Sequence, residues 1–190
     1  TTLPMMLTNS LFLVLNWTDV LMIGAMMDDG SVGIYNTALK IAALNSLVLI
    51  AVNSIAMPKY AELFEKNKIL FKQLVKSVSF LSFMVTLPVF LVIVIFPEQV
   101  MGIFDFDTGY QALTILAVGQ LFATFSGSTI HLLNMTGKEK ITMYVLMISV
   151  VINFSLNIML IPMLGITGAA WATAISTVIW NLLAVIMIYR

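Results

Sequence analysis

Asp19 and Lys40 are the two strong charges that fall deep inside the hydrophobic stretches of this chain. A charge at the centre of a membrane-buried helix costs about 2.5–3.5 kcal/mol, so residues that stay there usually have a task. Asp19 lies nine residues before Asp28, and Lys40 lies ten residues after Gly30 in the same acidic turn. At 1.5 Å per residue, both reach about 14 Å below one membrane face, near mid-bilayer. They sit on consecutive antiparallel stretches at matching depth, so a Coulombic pair is expected to be geometrically feasible. Two readings follow. The pair is a buried structural ion pair, or the two residues belong to a site for a substrate or a coupling ion.

Uncharged polar residues form stripes at helical spacing. Asn9, Asn16 and Asp19 share a face of the first stretch, and Asn36 and Lys40 share one in the second, with Ser46 and Asn53 on another. Gln120, Thr124, Gly127, His131 and Asn134 make a stripe in the fourth stretch, and Thr142, Ser149, Asn153 and Asn157 make one in the fifth. Each residue alone could simply hydrogen-bond a neighbouring helix. Several stripes in one bundle point instead to a hydrated cavity. A single His can relay protons, although a residue placed like His131 more often hydrogen-bonds a neighbouring helix. No His/Cys/carboxylate metal cluster, phosphate-binding glycine loop or nucleophile elbow occurs, so no enzyme, metal or cofactor is expected.

The elements that must position these residues are set by hydropathy. Charged residues make up 9% of the 190 and hydrophobic ones 61%, with a mean hydropathy of +1.05. A soluble fold could not cover that surface with polar groups. Net charge is zero, which gives no reason to expect a nucleic-acid partner. The absence of cysteine excludes disulfides and thiolate metal sites.

Six spans are predicted, at residues 3–27, 32–57, 75–96, 110–135, 141–161 and 166–189, each long enough for a bilayer core of about 30 Å. Pro58, Pro97 and Pro162 are expected to stop helices, and Pro88 to kink the third. The stretch from Lys59 to Lys76 reads as an amphipathic connector along the membrane surface, held by Leu63, Phe64, Ile69, Leu70 and Leu74. Gly168, Ala172 and Ser176 form a small-residue seam, with Trp171 beside it. The loops divide by charge. One set holds Lys59, Lys66, Lys68, Lys72, Lys76, Lys138, Lys140 and Arg190, and the other holds Asp28, Asp29, Glu98, Asp105 and Asp107. The positive-inside rule places the first set, and both ends of the chain, in the cytoplasm. The lack of an initial Met suggests a fragment of a longer protein.

Several segments resemble one family. They are Asp19 to Gly24, Val32 to Asn36, Ala38 to Ile41, Pro58 to Ala61, Leu132 to Lys138, Asn153 to Asn157 and Ile161 to Thr173. In this order they are similar to the polysaccharide (O-antigen and lipid-linked oligosaccharide) flippase branch of the multidrug/oligosaccharidyl-lipid/polysaccharide exporter superfamily. The resemblance implies an all-α polytopic protein whose residues 1–190 form one six-helix lobe of a two-lobe exporter. That lobe corresponds to the C-terminal half, with an N-terminal lobe as its missing partner. It further implies alternating-access flipping of a polyprenyl diphosphate sugar across the plasma (inner) membrane during polysaccharide or lipopolysaccharide biosynthesis. Lys40 could then meet the anionic head, with Asp19, Asn16, Asn36, Gln120, Thr124, His131, Asn153 and Asn157 around the substrate. No arginine lies within a span, so any arginine holding the diphosphate would belong to the other lobe. A cation-coupled drug or metabolite exporter, with Asp19 as its proton or sodium site, remains open. So does a membrane assembly partner without transport activity.

Overall fold

A computed structural model describes residues 2–127, 129–135 and 137–189. It is 92% helical, with no strand among the described residues. Eight helices follow one another: α1 (Thr2–Met26), α2 (Asp29–Lys66), α3 (Lys68–Ile95), α4 (Pro97–Gly102), α5 (Tyr110–Ser126), α6 (Thr129–Met135), α7 (Glu139–Leu164) and α8 (Ile166–Tyr189). Six spans are long and apolar enough to cross a membrane, with α5 and α6 together making the fourth. The protein is therefore all-helical and multi-pass. Large side chains such as Leu13, Leu21, Ile55 and Met163 point outward, as suits a surface solvated by lipid rather than water.

The helix boundaries correct several expectations. Pro58 and Pro162 lie inside α2 and α7 and do not end them. Neighbouring helices in a membrane bundle can compensate the hydrogen bond that a proline removes. The surface connector is absent as a separate element. α2 runs straight to Lys66, and Asn67 alone turns the chain while its side chain caps Ile69 and Leu70 at the start of α3. The loop expected after Pro97 contains α4, with Pro97 in its first turn and Glu98 beside it, a favourable helix start. Pro88 lies within a continuous α3.

Local chemistry explains the remaining turns. Asp28 caps α2 by accepting bonds from the Ser31 amide at 2.9 Å and the Ser31 hydroxyl at 2.8 Å. These bonds favour the ionised form and hold its carboxyl below the usual carboxylate range. Gly127, at φ 78°, breaks the fourth span between α5 and α6. A side chain would be strained at that φ, and a Cβ would collide with the Ser79 hydroxyl.

Packing runs from α1 to α7, α7 to α8, α8 to α5, and α5 to α2 and α3, which also pack on each other. The core is uneven along the bundle. At the end carrying Asp28, Asp29, Glu98, Asp105 and Asp107, one large cluster joins seven helices around Ile23, Tyr35, Ala42, Met101, Leu113 and Ala169. At the lysine-bearing end the core divides. Ala56, Tyr60, Val78 and Leu132 form one cluster, and Ile130, Leu133, Leu146 and Ala184 form another. The bundle is thus closed at its acidic end and splayed at its basic end.

Candidate functional site

The Asp19 carboxylate is buried, 2% exposed, where α1, α2, α7 and α8 meet. Its partners are neutral. The Asn153 and Asn157 amides donate to Oδ1 at 3.0 and 2.6 Å. The Tyr35 hydroxyl donates to Oδ2 at 2.9 Å, and the Thr173 hydroxyl donates to the same oxygen. Two hydroxyls on one oxygen and two amides on the other supply a donor for nearly every lone pair of an ionised carboxylate. Asn157 also donates to Asn153 Oδ1 at 3.2 Å, which ties the two amides together. The i, i+4 spacing of Asn153 and Asn157 places both on one face of α7. Thr142 and Ser149 share that stripe and are buried with them.

Lys40 is not part of this cluster. It lies on the exposed side of α2 and makes no ion pair among the described residues. The expected Asp19–Lys40 pair is thus corrected. Both depth and helical phase were in error: Tyr35 is the residue level with Asp19, and Lys40 lies five residues, about 7.5 Å, further along α2. At about 100° per residue, Lys40 lies about 140° around α2 from Tyr35, and Tyr35 is the residue that faces Asp19. The local charge balance changes with this substitution of partners. Among the described residues, Asp19 has hydrogen bonds but no cationic partner.

Below the cluster, the splayed basic end encloses a cleft of about 720 Å³. Its polar walls come from Asn16 on α1, Ser46 and Asn53 on α2, Gln120 on α5 and His131 on α6, with Phe12 and Trp180 packed edge to face at its side. Asn16 precedes Asp19 by about one helical turn, so the cleft reaches the neighbourhood of the carboxylate. The sequence-derived candidates therefore divide into groups. Asp19, Asn153 and Asn157 form the buried cluster, while Asn16, Gln120 and His131 line the cleft. Thr124 is buried and spends its hydroxyl on the Gln120 carbonyl of its own helix. The expected stripe through Gln120, Thr124, His131 and Asn134 is interrupted by the break at Gly127. Asn36 is half-buried and stands on neither wall.

Tyr35 and Thr173 were absent from the candidate set. A signal for Tyr35 existed: it is six residues into α2, while Asp19 is seven residues from the end of α1, so the hairpin brings them level. A buried Tyr also needs a partner for its hydroxyl. No cluster of three or more His, Cys, Asp or Glu suited to a metal ion occurs among the described residues.

Comparison with known proteins agrees with this architecture. The sequence profile of the MatE family matches residues 4–159. The chain is 33% identical over 171 residues to a probable low-salt glycan biosynthesis flippase, Agl15, of Haloferax volcanii, covering 85% of this chain and 35% of that protein. An uncharacterized membrane protein of Methanocaldococcus jannaschii is 31% identical over 143 residues, covering 73% of this chain and 28% of the relative. A probable flippase, AglR, of Haloferax volcanii is 25% identical over 177 residues, 90% of this chain and 37% of the relative. The chain thus spans about a third of the length of these curated relatives. No solved structure is a significant match.

Proposed function

The chain belongs to the MatE family, and on that premise we propose that it is one lobe of a flippase for lipid-linked glycans. The observation that carries this reading is the polar cleft at the basic end, where amides and a hydroxyl from α1, α2 and α5 converge inside an apolar bundle. Sugars are recognised by such groups, while a polyprenyl tail can remain in lipid. The names of two relatives, a probable glycan biosynthesis flippase and a probable flippase, support the same class. The relatives' greater length supports a second lobe facing this one. In this scheme the bundle, closed at one end and splayed at the other, is the inward-facing arrangement of alternating access, and the protein transports rather than catalyses. Lys40 keeps a role in the proposal despite its distance from Asp19. On the exposed side of α2 it is available to the diphosphate of a substrate held between lobes.

The test is flipping of a fluorescent polyprenyl diphosphate oligosaccharide in vesicles containing the protein. Asn16→Leu with Gln120→Leu should slow flipping about tenfold or more, the equivalent of one lost hydrogen bond of about 1.4 kcal/mol. Unchanged flipping would remove the cleft from the substrate path.

The buried cluster favours a second reading. A carboxylate with four neutral donors and no cationic partner is suited to take up a proton or a monovalent cation. A cation-coupled drug or metabolite exporter would use Asp19 in this way. Efflux of cationic dyes that depends on Asp19, without glycan flipping, would select that reading.

The charge division of the loops supports a cytoplasmic basic end by the positive-inside rule, and in the proposed function the protein sits in the plasma (inner) membrane. Single cysteines at Asp105 and Lys66, both exposed, test the orientation. An impermeant thiol reagent added to intact cells should label the first and spare the second. The reverse pattern would invert the topology.

A further inference from the structure

A second cavity lies on the other side of α6 from the cleft. It has a volume of about 650 Å³ and opens between α3 and α8, floored by α5 and α6. Lys72 and Lys76 stand at its mouth, both exposed and one helical turn apart on α3. Neither makes an ion pair among the described residues. Deeper in, the walls are aromatic and aliphatic, chiefly Phe80, Phe83, Phe125 and Leu182. Phe83 and Phe125 meet edge to face, with ring centroids 5.6 Å apart, and so hold the two sides together. None of the described lining residues is acidic.

We propose that this crevice is a binding site for an anionic glycerophospholipid of the surrounding leaflet, with its phosphate between Lys72 and Lys76 and one acyl chain along the phenylalanines. The arrangement has the polarity of such a lipid. Lys72 and Lys76 lie in the first turns of α3 at the basic end, the depth of a headgroup. Phe80 and Phe83 follow one to two turns further in, at the depth of the chains. A free anion would use the lysines but leave the aromatic walls without a partner. A neutral lipid would do the reverse. A glycan-bearing lipid is a poor fit, because among the described lining residues Ser79, Ser126 and Thr129 are the only uncharged polar side chains. The crevice is also separated from the polar cleft. The separating wall is thin, however, because Thr129 lines both cavities and Gly127 presses against Ser79. The site goes beyond the transport reading and does not depend on it.

The experiment uses the protein in phosphatidylcholine nanodiscs doped with phosphatidylglycerol carrying a photoactivatable acyl chain. Label should map to the α3 and α5 segments that contain Phe80, Phe83 and Phe125. Titration of phosphatidylglycerol should show an apparent affinity about 30-fold weaker in the Lys72→Gln/Lys76→Gln variant, equivalent to about 2 kcal/mol. Both lysines are exposed, so the variant should fold. Photoactivatable phosphatidylcholine should label these segments weakly. Equal labelling by the two lipids, no labelling there, or an unchanged titration in the variant would each overturn the proposal. Displacement of the label by inorganic phosphate would make the site one for free anions. Displacement by stoichiometric polyprenyl phosphate would make it a substrate site. Either result would overturn the assignment to a leaflet phospholipid.

Discussion

Asp19→Asn should leave the bundle folded and stop transport, whereas Asp19→Leu should keep the protein from accumulating. The difference lies in the donors around the carboxylate. An asparagine at this position can still accept from Asn153 and Asn157 through its carbonyl oxygen. Its new amide group would face Tyr35 and Thr173, whose hydroxyls can rotate and accept instead of donating. The hydrogen-bonding network survives, and only the negative charge is lost. Leucine strands all four donors. At about 1 kcal/mol each in proteins generally, or about 0.6 within membrane bundles, the loss is roughly 2–4 kcal/mol, a large part of a typical domain's stability. Membrane abundance, thermal unfolding and flipping in vesicles are the measurements. Full activity of Asp19→Asn would show that the charge is dispensable and the cluster only structural. Lys40→Met should not rescue Asp19→Asn, because the two residues share no contact and their effects should add within about 0.5 kcal/mol. Rescue would restore the ion pair that the structure lacks.

Gly168→Ala should be the most damaging single-methyl addition in the chain. A Cβ on Gly168 would overlap the backbone carbonyl of Leu160, at the tight turn from α7 to α8. A backbone carbonyl cannot swing aside as a side chain can, so the two helices must separate. Overpacking of this kind costs about 1–3 kcal/mol, occasionally more. The strain would spread to the Asp19 cluster, because Asn153, Asn157 and Thr173 reach it from these same two helices. Gly102→Ala is the control, since nothing lies within 4 Å of its added methyl. Melting temperatures in detergent should fall sharply for Gly168→Ala and hold for Gly102→Ala. Equal melting of the two variants would mean that the seam is loose enough to absorb a methyl group.

The long apolar runs made the six spans legible, because bilayer thickness leaves little choice for a stretch of twenty such residues. Asn153 and Asn157 were legible too, since i, i+4 spacing fixes a common face wherever the helix points. The Asp19–Lys40 pairing failed for a different reason. Counting from the acidic turn put Lys40 level with Asp19, but Tyr35 occupies that level, and a few residues along a helix are also enough to turn a side chain away from its supposed partner. Thr173 was hidden because its partners lie more than a hundred residues away in sequence, which no local pattern reports. The break at Gly127 had a local signal in the Ser126-Gly127-Ser128 cluster. It was outweighed by counting Gly127 as a member of a helical stripe. Pro58 and Pro162 misled because rules for helices in water do not transfer to a bundle whose neighbours and solvent differ.

The unbroken course of α2 gives the lobe a mechanical property. Its 38 residues amount to a rod of about 57 Å, nearly twice the thickness of a hydrocarbon core. The far half of the rod carries the Ala56 and Tyr60 cluster with it, and near its other end Tyr35, Ala38, Ile41 and Ala42 sit in the large core. Pivoting there, it has a short arm of about 10 Å to Tyr35 and a long arm of about 36 Å from Ala42 to Lys66. A shift of about 1 Å at the Tyr35 hydroxyl, the size of a change in one hydrogen bond, therefore becomes a swing of roughly 3–4 Å at Lys66. If Asp19 takes up a proton or a cation, the rod would gear occupancy of that single carboxylate to the width of the basic end.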